Sequence, residues 1–120
     1  MQFTIPLIPP TYNQHIHINY AIKQVYLTKK AREFKRSVKL LTPPNSKLSD
    51  NSKLQLKVEI HNDWYYKNGK VKRLDIQNLD KLLIDAICEK WGIDDCRIWD
   101  SHFLKVQSTE KKTVVDIWEM

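Results

Sequence analysis

Long apolar runs are missing from this 120-residue chain, in which no stretch approaches the ~20 residues needed to span a bilayer. The opening Met-Gln-Phe-Thr-Ile-Pro has neither the charged n-region nor the apolar h-region of a signal peptide, so a soluble, cytoplasmic protein is expected. Cysteine is scarce, with only Cys88 and Cys96. Their separation matches no zinc-ligand spacing and implies no oxidising compartment, so two free, structural thiols are expected. No internal repeat is visible. The length supports one domain over 1–120 with one core, and leaves no room for a separate catalytic lobe.

What the chain does have is positive charge, with 20 Lys+Arg against 14 Asp+Glu and a net charge of +6. The excess lies entirely in residues 1–50, which hold eight bases and two acids; residues 51–120 hold twelve of each. A second basic knot, Lys67, Lys70, Lys72 and Arg73, contains no acid, and the stretch Asp75 to Asp100 that follows holds seven acids and three bases. Basic side chains bind phosphates and release their counterions, which gives affinity for nucleic acid regardless of sequence. Clustered carboxylates beside such a surface would repel a polyanion unless a divalent cation sat between them. The competing explanation is that each basic run is only a solvated face.

Alternation of Phe3, Ile5 and Leu7 predicts a short opening strand ended by Pro9-Pro10, and His15 to Tyr20 reads as an edge strand or extended loop. Thr28 is a suitable N-cap for a helix over 29–41, stopped by Thr42-Pro43-Pro44. Its apolar stripe is Ala31, Phe34, Val38 and Leu41. Lys29, Lys30, Arg32, Lys35, Arg36 and Lys39 make the rest of its surface almost purely cationic. Leu54, Leu56, Val58 and Ile60 alternate with Gln55, Lys57 and Glu59 in the cleanest strand of the chain. Asn68-Gly69 signals a hairpin whose tip carries the second basic knot.

Leu79, Leu82, Leu83, Ala86, Ile87 and Trp91 predict a helix over about 79–91 with Gly92 at its C-cap. Ile84 and Cys88 widen its apolar surface beyond one stripe, so more than one covering partner is expected. Ile98 to Val106 and Thr113 to Trp118 read as a closing hairpin. The expected architecture is α+β: a two-layer mixed or antiparallel sheet packed with two helices.

The chemistry-bearing stretch is Arg73-Leu74-Asp75-Ile76-Gln77-Asn78-Leu79-Asp80-Lys81, then the helix with Ile84-Asp85-Ala86-Ile87, then Gly92-Ile93-Asp94-Asp95. Hard oxygen ligands of this kind suit Mg²⁺, which takes one or two carboxylates and keeps several waters. Read on spacing alone, Asp75 is equally a helix cap and Asp94-Asp95 equally turn residues. The stretch resembles the signature of the RusA-type Holliday junction resolvases: Asp-x-Asp-Asn-x-x-Lys, a helix carrying Asp-Ala-Leu, then Asp-Asp. Pro9-Pro10 and Asn13 are similar to the family's Pro-Pro-Ser-x-Asn start, and element order and length agree.

The resemblance implies a small homodimeric endonuclease of the kind common in phages, which binds four-way DNA junctions in recombination and repair and nicks two opposing strands. It implies Mg²⁺ as cofactor, with Mn²⁺ as a substitute, and neither a membrane nor a small-molecule substrate. By motif position, Asp75 and Asp95 are the implied metal-binding catalytic aspartates and Lys81 the catalytic lysine. Gln77 stands where the motif has its second aspartate. Its neutral carbonyl can ligate a metal but holds it less tightly and cannot act as a base. Leu74 also replaces a position that is often basic.

Two readings follow, a metal-dependent junction resolvase with Gln77 as a weakened ligand, and a junction-binding protein without turnover. A third is a basic nucleic-acid-binding module with no junction preference. The implied DNA contacts are Lys29, Lys30, Arg32, Lys35 and Arg36 on the first helix and Lys67, Lys70, Lys72 and Arg73 on the hairpin.

Geometry adds a further expectation. A helix over 79–91 is roughly 20 Å long, and the four residues from its end to Asp95 span at most ~14 Å. Asp75 and Asp95 of one chain would reach a shared metal only with difficulty, whereas antiparallel helices in a dimer would bring Asp75 of one protomer near Asp95 of the other. Among the remaining residues, His15, His17, His61 and His102 are expected to be bystanders in or beside strands. Tyr12 and Tyr20 are expected to pack against the sheet, and Trp64, Trp91, Trp99 and Trp118 to lie in the core or an interface.

Overall fold

The computed structural model describes residues 1–10, 16–19, 24–45, 48–49, 51–73, 76 and 79–120, with the backbone alone for 16–19 and 24–27. Tyr12, Asn13, His15, Tyr20, Leu74, Asp75, Gln77 and Asn78 lie outside the described residues, and of His17 only the backbone is described. The element order is β1 (Gln2–Ile5), β2 (Ile16–Asn19), β3 (Gln24–Leu27), α1 (Lys29–Leu41), β4 (Leu54–Asn62), α2 (Lys81–Trp91), β5 (Ile98–Gln107) and β6 (Lys112–Glu119). β2 and β3 form a separate antiparallel ribbon. β3 has no counterpart in the sequence reading, because Val25 and Tyr26 are adjacent and do not alternate.

The main sheet has the order β1-β6-β4-β5, with β4 parallel to β5 and antiparallel to β6. This corrects the expected closing hairpin, since β5 and β6 are consecutive in sequence but flank β4. The cause is β4 itself. Leu54, Leu56, Val58 and Ile60 are all at most 1% exposed, so this strand takes the centre of the sheet, where both edges can be filled. The turn over 108–111 steps across the end of β4, and the Ser108 amide donates to the Asn62 carbonyl at 2.9 Å. α2 supplies the long crossover that a parallel neighbour requires.

α1 forms where its pattern says it should. Thr28 Oγ1 accepts from the Ala31 amide at 3.2 Å. Ala31, Phe34 and Val38 are buried, while Leu41 is 45% exposed and leaves the stripe short by one turn. α2 starts at Lys81, two residues later than its periodicity suggests. Leu79, 1% exposed, enters the core from the turn before the helix, because burial does not require helical backbone.

The surplus apolar surface of α2 is covered within the chain. Cys88 and Trp91 are 6% and 9% exposed, and the Trp91 indole donates to the Pro43 carbonyl at 2.8 Å. That surplus therefore does not by itself call for a second subunit. Trp64 is also buried, whereas Trp99 is 65% exposed under the Lys53 ammonium, 4.2 Å from its ring centroid. Both cysteines are free, Cys88 buried and Cys96 exposed. Among the described residues no helix is long and apolar enough to cross a membrane.

Gly92 ends α2 in the left-handed region at φ 65°, and the Ile93 amide donates to the Cys88 carbonyl at 3.0 Å. A Cβ there would meet no atom within 4 Å, so the cost of Gly92→Ala is purely conformational. It should lower unfolding free energy by about 1–2 kcal/mol in urea titrations. Because this cap also aims the chain toward Asp94 and Asp95, the same variant tests how firmly that turn is held.

Candidate functional site

The hairpin after β4 is a three-residue loop. The Tyr66 amide donates to the Lys70 carbonyl at 2.8 Å, the Gly69 amide donates to the Tyr66 carbonyl at 2.9 Å, and Gly69 takes φ 83°. Trp64 anchors its base: the indole N–H is shared between the carbonyls of Ile60 (3.2 Å) and Val106 (3.1 Å). The loop thus holds Lys67 and Lys70 out in solvent, with Tyr65 and Tyr66 47% and 52% exposed beside them. Lys72, at the base, is half-buried, with its ammonium 5.9 Å from the Tyr66 ring centroid.

The cationic face of α1 is less uniform than its sequence suggests. Lys35 and Lys39 both reach Glu89 of α2, at 2.7 and 2.5 Å, and the Lys35 side chain is only 17% exposed. Lys29 lies 3.9 Å from Glu33. Lys30 and Arg36 are exposed and lie outside these pairs, so the face available to an anion is narrower than the sequence suggests.

Hydrogen bonds from Lys35 and then Lys39 hold the Glu89 carboxyl below its ordinary pKa. A group depressed in the folded state stabilises above its unfolded value, 4.5, and loses that contribution as pH falls through the lower folded value. Glu89→Gln should therefore cost no more than about 1 kcal/mol near pH 7, the carboxylate being half-exposed. The difference from the native chain should shrink in paired thermal melts as pH falls below 4.5. The same substitution releases two cations, so it should tighten DNA binding a few-fold at low salt.

The two basic regions meet. A cavity of about 440 Å³ is lined by Pro9 and Pro10, Lys30 from the start of α1, Lys72 from the hairpin base, Asn62 at the end of β4 and Leu79 ahead of α2, with Lys111 of the β5–β6 turn at its rim. Thr113 Oγ1 donates to the Leu7 carbonyl at 2.7 Å and fixes the Pro6–Pro10 wall to the sheet. Sequence reasoning found Lys30 and Lys72 but missed Lys111 and Asn62. Lys111 looked like ordinary turn polarity, although Asn62 left a trace as a polar residue in the buried register of β4.

The acidic residues occupy the other end of α2. The helix has 11 residues, about 16 Å, so Lys81 at its first position and Asp95 beyond its last stand at opposite ends. Asp94 caps the turn Asp95–Arg97 by accepting from the Cys96 amide at 2.9 Å. That bond, then the Cys96 thiol, then Asp95 hold its carboxyl low. Burial first, then the charges of Asp95, Asp85 and Asp94, push the Cys88 thiol up to about 11. Among the described residues no three acids, histidines or cysteines are close enough to hold a metal ion. His61 and His102 sit beside Glu59 (3.1 Å) and Asp100 (3.0 Å) on the strands, away from both regions.

The chain is thus a small mixed-sheet α+β domain with a lysine-lined cavity before α2 and Asp94 and Asp95 beyond its other end. The family model of endodeoxyribonuclease RusA matches residues 6–118, and the chain belongs to that family. A comparison with curated proteins gave no match. Membership implies a Holliday junction resolvase, an endonuclease of recombination that binds branched DNA, and nucleases of this family are generally dependent on a divalent metal.

Proposed function

We propose that this chain, a single domain over 1–120, acts as a homodimeric, Mg²⁺-dependent, cytoplasmic endonuclease that nicks four-way junctions. The observation that carries the reading is the convergence of Lys30, Lys72 and Lys111 on one cavity next to Leu79, where the motif segment enters α2. The donor set fits a hard cation in its chemistry: Asp75 and Asp95 supply carboxylates and Gln77 a carbonyl, the oxygen ligands that Mg²⁺ prefers. When bound there, the ion would lower the pKa of an attacking water and polarise the phosphodiester.

The chain's own residues supply the rest. Lys29, Lys30, Arg32, Arg36, Lys67, Lys70, Lys72 and Arg73 hold the DNA backbone, Lys35 contributing once Glu89 yields it. Lys81, exposed at the first position of α2, stabilises charge developing on the scissile phosphate. Because Lys81 and Asp95 stand a helix apart, a composite site completed by Asp95 of the partner subunit is the arrangement that unites them. Mixed Asp75→Ala and Asp95→Ala subunits should then regain about a quarter to a half of the sites, as counted by junction cleavage, and no recovery would rule this out.

A junction-binding protein without turnover is the second reading, and Gln77 is the residue that favours it. The native chain and Gln77→Asp would each be incubated with a synthetic four-way junction and a linear duplex, with and without Mg²⁺. Mg²⁺-dependent cleavage by the native chain supports the first reading. Cleavage only by the variant supports the second, and equal affinity for junction and duplex removes both.

A further inference from the structure

We propose that the cavity lined by Lys30, Lys72, Lys111 and Asn62 is a phosphate-binding pocket that seats one phosphodiester of the DNA backbone apart from the one being cut. This deepens the junction-binding reading and rests on it. Four observations lead there. The three lysines come from the start of α1, the hairpin base and the β5–β6 turn, so no local pattern explains their meeting. Among the described residues no acid lines the cavity and none of the three lysines forms an ion pair, Asp63 acting on Lys72 only from further off, although Lys112 next door is 3.4 Å from Glu110. Like charges gathered on one cavity repel, and an oxyanion in their midst reverses the sign of that interaction.

Asn62 is the more telling residue. It continues the buried register of Leu54, Leu56, Val58 and Ile60, is 5% exposed, and lines this cavity. Its backbone carbonyl accepts from Ser108, and its side chain borders the cavity. A carboxamide that borders a cavity lined by cations can donate to an anion held there. Pro6, Pro9 and Pro10 form much of the wall and bring no N–H groups, so the carboxamide supplies the oriented donor and the lysines the charge. Lys72 also borders the neighbouring cavity of Asp63, Tyr65, Tyr66 and Lys67.

The test uses the full chain labelled with ¹⁵N. Inorganic phosphate is titrated while the Asn62 side-chain amide resonances are followed, and a saturable shift that disappears in Lys111→Ala is expected. In parallel, anisotropy of a labelled four-way junction is measured across a salt series. The slope of log K against log salt should fall by about one in Lys111→Ala, the value for one lost phosphate contact, and should stay unchanged in Lys112→Ala. Lys111 is exposed, so equal melting temperatures will show that the variant folds. An Asn62 amide indifferent to phosphate overturns the pocket whatever the DNA assays give, and so does an unaltered slope in Lys111→Ala. A phosphate response at Asn62 in a native chain that binds junction and duplex equally would keep the pocket as an anion site and remove the junction reading instead.

Discussion

Asp95→Asn is expected to leave junction affinity within about twofold of native and to slow strand cleavage by at least about 100-fold. Loss of even an outer-shell partner of a metal ligand costs 10–100-fold, and a direct ligand costs no less. The two adjacent aspartates have different duties. Asp94 is occupied in accepting from the Cys96 amide at 2.9 Å, which shapes the turn into β5. Asp95 is exposed and, although its side chain meets that of Asp94, it makes no such capping bond. Asp94→Asn keeps the capping oxygen and should therefore cost far less activity than Asp95→Asn. Single-turnover cleavage of a labelled junction, beside anisotropy in Ca²⁺, separates the two effects. Equal losses from both variants would mean that Asp94 shares the chemistry.

Trp64→Ala should be the most destabilising single change at the DNA-facing end of the fold. The residue is 3% exposed, its indole N–H bridges two carbonyls on β4 and β5, and its backbone amide takes the Gln107 side chain at 2.9 Å. Removing a buried Trp costs about 3–5 kcal/mol. For a chain of this length that is a fall of roughly 12–20 °C in Tm. Binding should suffer beyond stability, because the Lys72 amide donates to the Trp64 carbonyl and the hairpin hangs from this point. At a temperature where the variant is still folded, its junction affinity should drop while Trp99→Ala, at an exposed ring, leaves affinity and melting nearly unchanged. A folded Trp64→Ala with native affinity would show that the hairpin needs no anchor to present its lysines.

Local order was legible wherever the information is local. Thr28, the stripe of Ala31, Phe34 and Val38, and Thr42-Pro43-Pro44 give α1 its observed bounds. Asn68-Gly69 gives the turn, and Gly92 gives the end of α2. Strand pairing was not legible, because nothing in β5 or β6 records that each will prefer β4, with its fully buried apolar face, to its neighbour in sequence. The same limit applies to the charge map. Lys35 looks as open as Lys30 until the fold sets Glu89, fifty-four positions away, within 2.7 Å of it.

The candidate site divides along the same line. The motif residues were recognisable in sequence, although Asp75 and Gln77 lie outside the described residues. The cavity that joins positions 30, 62, 72 and 111 exists only in three dimensions. Asn62 was the one early sign, a polar side chain where alternation calls for an apolar one.

The central claim is that a cationic surface holds a branched DNA while a few metal-bridged acids cut it. It is tested most directly by mapping, at single-nucleotide resolution, the nicks that the native chain makes in a fixed four-way junction with Mg²⁺ present. Paired nicks at symmetry-related positions on two opposing strands, absent when the metal is chelated, are the expected result. Scattered cuts that appear equally in linear duplex, or cleavage that persists under chelation, would contradict the account.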